Sequence, residues 1–317
     1  MGTDLGVLDQ TERIIYALRA LYMNSGYTRY KMSKFEEYDL YSRNKSFLVS
    51  DEVITFTDAD GRLMALKPDV TLSIIKNTRD GGGLQKLCYN ENVYRAAGGI
   101  RVFREIMQTG VECIGDIGPE EIGEVLVLAA RSLEKLNPEF ILEVSDLGIL
   151  SLFVDSLHLK NNDTDSVLQL IHSKNVHELR ELCERNNLDE EACKELIQLL
   201  KISHEPEKAI ALLKSICTQN TVRQRVESFE GILRPLVEKG LKEHIRVDFS
   251  LSGNMNYYNG IIFKGYVSKV AQSVLSGGQY DRLMQRLGRS AKAIGFAVYL
   301  DRLERLSGEQ EGGETVC

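Results

Sequence analysis

The period of the hydrophobic positions changes several times along the chain, and each change marks an element. Between residues 11 and 25, Ile14, Ile15, Leu18, Leu21 and Tyr22 recur at helical spacing, and Gly26 supplies the stop. Thr55 to Lys67 predicts a β-hairpin: Phe56 and Thr57 lead in, Asp60-Gly61 makes the turn, and Leu63, Ala65 and Lys67 alternate on the way out. Pro68 is expected at the first position of a helix running through Ile74 and Ile75. Strands are expected over Leu87 to Arg95 and Val102 to Ile114, joined by the small-residue loop Ala96-Ala97-Gly98-Gly99. Pro119, Glu120 and Glu121 open a long helix that Lys135 and Pro138 close, and Phe140 to Val144 reads as a short apolar strand.

From about Asp163 to Lys239 helical spacing dominates, Glu and Lys are dense and no strand pattern appears. Period two returns with Ile245, Val247, Phe249 and Leu251, which place Arg246, Asp248 and Ser250 on the opposite face. Two more strands are expected over Tyr257 to Val267 and Val270 to Ser276, and a helix over Asp281 to Leu287. The order β-rich, helical, β-rich predicts an α+β fold, an antiparallel sheet interrupted by an all-helical insertion. The expected division is a core in two parts, 1–160 and 243–310, a helical insertion over 161–242, and a tail over 311–317. Gly81-Gly82-Gly83 reads as a flexible loop.

Composition narrows the function classes. The 317 residues contain 39 Lys and Arg against 46 Asp and Glu, a net charge of −7, the opposite of the basic excess that a nucleic-acid binder uses against phosphates. The start, MGTDLGVLDQ, lacks the basic and apolar regions of a signal peptide, and Gly6 breaks the myristoylation pattern. Apolar runs such as Val125 to Ala130 fall far short of the ~20 residues that cross a bilayer. The six cysteines form no C-x-x-C pair and read as reduced, mostly buried residues, and the five histidines lack zinc-binding spacing. The expectation is a cytoplasmic protein with no metal or other cofactor, and with neither nucleic acid nor membrane as a partner.

Familiar catalytic signatures are absent: there is no G-x-x-x-x-G-K-S/T loop, no G-x-G-x-x-G after a strand, no G-x-S-x-G elbow and no phosphoribosyl pyrophosphate loop. Polar residues cluster instead on the expected sheet. Asp69 and Thr71 follow the hairpin; Arg95, Arg104, Glu105, Gln108 and Glu112 lie on or beside the paired strands; Tyr257, Tyr258, Gly277, Gly278 and Tyr280 lie in the C-terminal half. Gln108 and Glu112 are an even number of residues apart, so a continuous strand points both to one face. Two readings fit this spacing. The residues are exposed strand positions with a packed tyrosine pair, or they converge on a small zwitterionic ligand whose ammonium the carboxylates take while glycines allow close approach.

The motifs taken together resemble a known family. Phe56-Thr57-Asp58-Ala59-Asp60-Gly61-Arg62-Leu63-Met64-Ala65-Leu66-Lys67-Pro68-Asp69-Val70-Thr71 is similar to the hairpin and R-P-E-G-T element of histidyl-tRNA synthetases. Val93-Tyr94-Arg95 followed by Arg104 to Glu112 resembles class II motif 2. Asn256-Tyr257-Tyr258-Asn259-Gly260 resembles the L-D-Y-Y signature, Ser276 to Asp281 resembles G-G-R-Y-D, and Ile294 to Leu303 resembles motif 3. The matches occur in family order over nearly the whole chain, and imply a class II synthetase-like sheet.

The departures decide what the resemblance implies. Counting back from Tyr257 places Gly253 where the synthetases carry the arginine that activates the amino-acid carboxylate, a charge that glycine cannot supply. Ala97 stands where motif 2 carries the adenine-reading glutamate, Ser33 stands where motif 1 carries proline, and with 14 residues after Leu303 the expectation is that the anticodon-binding domain is missing. The positions that hold histidine in the family are largely kept: Asp69, Thr71, Gln108, Glu112, Tyr257, Tyr258, Gly277 and Tyr280, with Arg95 beside them. A pocket without its catalytic apparatus resembles the regulatory subunits of ATP phosphoribosyltransferase. That resemblance implies no catalytic residue, a short-form ATP phosphoribosyltransferase catalytic subunit as partner, L-histidine as feedback effector in the first step of histidine biosynthesis, and a homodimer within a hetero-oligomer. Arg95 and Arg302 either hold a ligand or pair with acidic neighbours. The alternatives are a truncated histidyl-tRNA synthetase-like amino-acid-activating enzyme, and a nucleic-acid-binding relic that the negative charge disfavours.

Overall fold

The computed structural model describes residues 5–48, 52–78, 81, 83–96, 102–159, 163–251 and 257–303. The first part of the chain forms α1 (Gln10–Asn24), β1 (Thr28–Arg29), β2 (Phe35–Glu37), α2 (Tyr38–Ser42), β3 (Thr55–Thr57), β4 (Leu63–Leu66) and α3 (Val70–Asn77). It continues through β5 (Gln85–Ala96), β6 (Phe103–Gly115), α4 (Pro119–Leu136), β7 (Phe140–Asp146) and α5 (Leu147–Ser156). Helices α6 (Asp163–His172), α7 (Val176–Asn186) and α8 (Glu190–Leu200) follow, then β8 (Ser203–His204), α9 (Pro206–Ile216) and α10 (Asn220–Glu238). The last part is β9 (Ile245–Asp248), β10 (Ile261–Val267), β11 (Leu275–Gln279), α11 (Asp281–Arg286) and β12 (Lys292–Tyr299).

Among the described residues, nine strands form one sheet in the order β1-β5-β6-β12-β11-β10-β7-β9-β8, and β2-β4-β3 form a small second sheet. The large sheet is mixed rather than purely antiparallel, because β1 pairs with β5 and β7 with β9 in parallel. One face is largely apolar: Val111, Cys113, Phe263, Phe296, Leu142, Val144 and Val247 pack there against α1 and α4 in a core that runs on into the helices of the 161–242 segment. The other face is covered unevenly. Over β5, β6 and the start of β12, α3, the small sheet and α11 bury Tyr89, Val93, Ile114 and Ala293. A separate small cluster, Leu147, Leu251 and Ile262, lies at the far side, and Tyr258 packs against both groups. The gap between them opens onto the strands.

The helical segment is fastened to the sheet by more than apolar contact. Arg225 of α10 meets the fully buried Asp146 at the end of β7, Nε to Oδ2 at 2.8 Å, and Asp146 in turn caps α5 by accepting from the Gly148 amide at 2.8 Å. Local signals account for most boundaries. Asp9 and Glu12 form a reciprocal cap on α1, and Asp58 Oδ1 accepts the Asp60 and Arg62 amides to hold the β3–β4 turn.

Several expectations need correction. Pro68 is not the first residue of α3; Asp69 caps that helix by accepting the Leu72 amide at 2.9 Å, so Pro68 stands before the cap. The strand expected over Val270 to Ser276 begins instead at Leu275, because its partner positions on β10 start with Gly265 opposite Leu275 and Lys269 turns the chain at φ +68°. The helical segment contains a strand after all: Ser203 and His204 of β8 pair with Asp248 and Val247. Helix α5 and strand β12 were not expected as elements, since their short apolar runs carry no decisive period. The described cysteines are free, with Cys88, Cys113, Cys183 and Cys217 buried. Gly82, Ala97 to Gly99, Gly253, Asn256, Cys317 and the 311–317 tail lie outside the described residues.

Candidate functional site

A cavity of about 390 Å³ occupies the uncovered part of the polar sheet face. Strand β6 contributes Gln108 and Glu112, each 2% exposed and two rows apart on one face, as their even spacing requires. The start of α3 places Asp69 and Thr71 over them, and the loop before β10 lays Tyr257 and Tyr258 across the opening. Tyr280 enters from the end of β11. The nine positions expected to hold histidine, Asp69, Thr71, Arg95, Gln108, Glu112, Tyr257, Tyr258, Gly277 and Tyr280, all line this one cavity.

Glu112 is the centre of a short network. Thr71 Oγ1 donates to its Oε1 at 2.8 Å, and the Tyr280 hydroxyl donates to its Oε2. Burial raises the Glu112 carboxyl to about 8, with the nearby Asp69 adding to the rise and the two hydroxyl donors opposing it. Without a ligand the group is therefore mostly protonated at neutral pH, and a cation seated beside it would draw it into the ionised form. Asp69 is likewise raised by burial, against the lowering effect of Arg95. Gln108, which lines the cavity, carries a buried Nε2 that has no hydrogen-bond partner among the described residues. Burial keeps the phenols of Tyr257, Tyr258 and Tyr280 neutral by raising each above its ordinary value.

The tyrosines are both packed and exposed to the cavity. Tyr257 and Tyr258 meet edge to face at 4.6 Å between centroids, and Tyr257 lies 5.8 Å from Tyr280. Gly278 and Gly295 leave the space these groups need, since a Cβ would lie 2.7 Å from the Tyr258 ring at the first and 1.8 Å from Glu112 Oε2 at the second. Gly277 plays a different part from the one expected. Its Cα pairs with Phe296, so its missing side chain faces the apolar core, where Phe263 and Phe296 fill the space; it offers the cavity only backbone. Arg95 pairs with an acidic neighbour, lying 3.8 Å from Asp69, and donates to the Pro68 carbonyl at 2.8 Å. Arg302 neither lines the cavity nor pairs with an acid within 4 Å among the described residues: it donates to the Ser273 carbonyl and stacks 4.1 Å over the ring of Tyr299, which does line the cavity. Arg104 and Glu105 are exposed and do not reach the cavity.

Further lining residues had not been singled out, among them Tyr89, Lys264, Ser276 and Tyr299. They share the face of Gln108 and Glu112 by register, since Lys264 pairs with Ser276, Ser276 with Ala297 and Tyr299 with Gln108. Their strand parity was readable; which face stays open was not. Among the described residues no group of three or more His, Cys, Asp or Glu side chains is arranged to hold a metal ion, and no helix is long and apolar enough to cross a membrane.

Comparison with known proteins places this geometry in a family. The family model described as histidyl-tRNA synthetase matches residues 7–303. The ATP phosphoribosyltransferase regulatory subunit of Oceanobacillus iheyensis is 30% identical over 92% of this chain and 72% of its own length. That of Caldanaerobacter subterraneus is 30% identical over 94% of this chain and 79% of its own. A crystal structure from Bacillus halodurans, of an ATP phosphoribosyltransferase regulatory subunit/histidyl-tRNA synthetase, superposes with a TM-score of 0.80 at 24% identity, covering 96% of this chain and 83% of that one. With the synthetase-like sheet, the ordered motifs and these relatives in hand, the chain belongs to the family of ATP phosphoribosyltransferase regulatory subunits, built on the fold of the histidyl-tRNA synthetases.

Proposed function

We propose that this chain is the non-catalytic, histidine-sensing partner of a short-form ATP phosphoribosyltransferase catalytic subunit, working as a homodimer within a cytoplasmic hetero-oligomer. The observation that carries the reading is the convergence of Asp69, Thr71, Gln108, Glu112 and the tyrosines on one cavity sized for a small ligand. A buried carboxyl held near 8 and an unpartnered buried amide do nothing for the empty fold, and both are satisfied by a ligand that brings an ammonium and hydrogen-bond acceptors. L-Histidine has both, together with an imidazole that fits between hydroxyl and aromatic groups. The relatives, named as regulatory subunits of the transferase, supply the partner.

A subunit with no chemistry of its own acts only through a coupling free energy, so histidine must bind two states of the assembly with different affinities. The test mixes the purified chain with a short-form catalytic subunit and follows complex formation by gel filtration and phosphoribosyl-ATP formation by absorbance. Co-elution, a rate altered by the chain, and several-fold suppression of that rate by histidine are expected. Separate elution with an unchanged rate removes the reading.

A further inference from the structure

The cavity has a second charged end. Its described lining contains two cations, Arg95 and Lys264. Arg95 is engaged by Asp69 and the Pro68 carbonyl. Lys264 is half-buried on the cavity-facing side of β10 and forms no ion pair within 4 Å among the described residues. The carboxylate nearest to it by register is Glu143, its partner on β7; Glu143 takes a hydrogen bond from the Tyr266 hydroxyl and feels the Lys264 charge, but the two form no ion pair within 4 Å. On the other side Lys264 pairs with Ser276 of β11, whose Oγ lies 2.6 Å from the Tyr299 hydroxyl. A lysine and two hydroxyls thus stand together on the cavity face with no anion between them.

The opposite end is formed by Asp69 and Glu112. Strands β6 and β10 are separated by β12 and β11, a Cα span of about 14 Å at ~4.8 Å per strand. A glutamate and a lysine side chain extending toward each other narrow that span to the scale of a small zwitterion. From this arrangement we infer that Lys264, with Ser276 and Tyr299, is the carboxylate-binding subsite of the cavity, and that it makes the site selective for α-amino acids over amines of the same side chain. The inference rests on the ligand reading above and deepens it: the ammonium goes to Asp69 and Glu112, the carboxylate to Lys264. The neighbouring charges on this face are Glu143, Arg246 and Asp248, and Asp248 is taken by Lys174 at 2.8 Å, so no other described acid is poised to neutralise Lys264.

The test measures calorimetric binding of L-histidine and of L-histidinol, which keeps the ammonium and imidazole but lacks the carboxylate. Wild type is compared with Lys264→Met and Lys264→Arg, each checked for an unchanged melting temperature. A charge-assisted hydrogen bond in a partly buried site corresponds to about ten- to a hundred-fold in affinity. Wild type should therefore prefer histidine by that factor, Lys264→Met should erase the preference by weakening histidine alone, and Lys264→Arg should restore part of it. Equal weakening of both ligands in Lys264→Met, or no weakening, overturns the assignment of Lys264 and leaves histidine sensing intact. If wild type binds another common L-amino acid rather than histidine, the histidine reading falls, and the Lys264 comparison is made with that amino acid and its alcohol. Binding of none of the twenty overturns both.

Discussion

The helical segment and the cavity face of the sheet bury side chains for opposite reasons. In α6 to α10 the buried positions are Val167, Leu168, Ile171, Leu179, Leu196, Leu199, Leu213, Val226, Phe229 and Leu233, all apolar, with charge kept to the outer faces. Each such residue is stabilised by removal from water, and nothing in the interior waits for a partner. On the cavity face the buried residues include Asp69, Gln108, Glu112 and Tyr280, which lose hydration and regain it only in part from one another. One region is built to be stable when nothing is bound, and the other holds polar groups that the fold alone does not repay. Substitutions should therefore have opposite signs in the two regions.

The largest effect is expected in the helical segment. Phe229 of α10 is fully buried within the core shared with the sheet. Phe229→Ala should destabilise the protein by about 3–5 kcal/mol through lost transfer free energy and a residual cavity. Urea denaturation followed by circular dichroism reads this directly. A loss below 1 kcal/mol would mean that the segment collapses around the gap, and that its core is not the close-packed one described.

Glu112 gives an effect that depends on pH and disappears in acid. Its carboxyl is raised from 4.5 to about 8 in the fold. Below 4.5 the group is protonated in both the folded and unfolded states, so its neutral burial contributes fully. Between 4.5 and 8 the folded state keeps a proton that the unfolded state has released, and this contribution is lost as pH rises, at up to about 1.4 kcal/mol per unit. Glu112→Gln removes the titration. The stability of the variant relative to wild type should rise steadily from pH 5 to pH 8, while its histidine affinity falls because the ammonium loses its anionic partner. Denaturation midpoints that run parallel for the two proteins across this range would show that Glu112 titrates normally. In wild type the same linkage makes histidine binding expel a proton at pH 7, which calorimetry in buffers of different ionisation enthalpy detects.

This contrast was only half legible in the sequence. Helical periods and end signals marked the segment from Asp163 to Lys239, because local chemistry sets them. The parity of Gln108 and Glu112 also placed both correctly on one strand face. Gly277 came from the family resemblance rather than from parity, and the register of β11 on β12 turns its Cα substituent position toward Phe263 and Phe296, a detail no single strand shows because register is a property of two. Strand β12 was hidden because both of its faces are covered near Ile294 and Phe296, leaving no alternation to read. Lys264, Ser276 and Tyr299 became visible only once the sheet showed which part of the polar face lacks a cover. The Arg225–Asp146 ion pair joins residues 79 apart in sequence, and nothing local announces it.

The smallest effect is also the one that separates the two regions most sharply. Gln108 is 2% exposed, and its Nε2 finds no partner among the described residues. A buried donor left unsatisfied costs about 1–3 kcal/mol, and methionine has nearly the same length and volume without the donor. Gln108→Met should therefore leave the empty protein as stable as wild type or up to about 1 kcal/mol more stable, because the lost desolvation cost is offset in part by imperfect repacking against Tyr299 across the strand pair. In the helical segment a buried polar-to-apolar change has no such site, and large-to-small changes there only destabilise. The same Gln108→Met variant should bind histidine several-fold more weakly, since the ligand would lose an amide contact that wild type holds in readiness. The measurement pairs a melting curve without ligand against the shift in melting temperature on adding histidine. A variant that melts earlier without ligand, yet gains the full wild-type shift, would mean that Gln108 belongs to the stabilising framework after all, and that the division between the two regions runs elsewhere on the sheet.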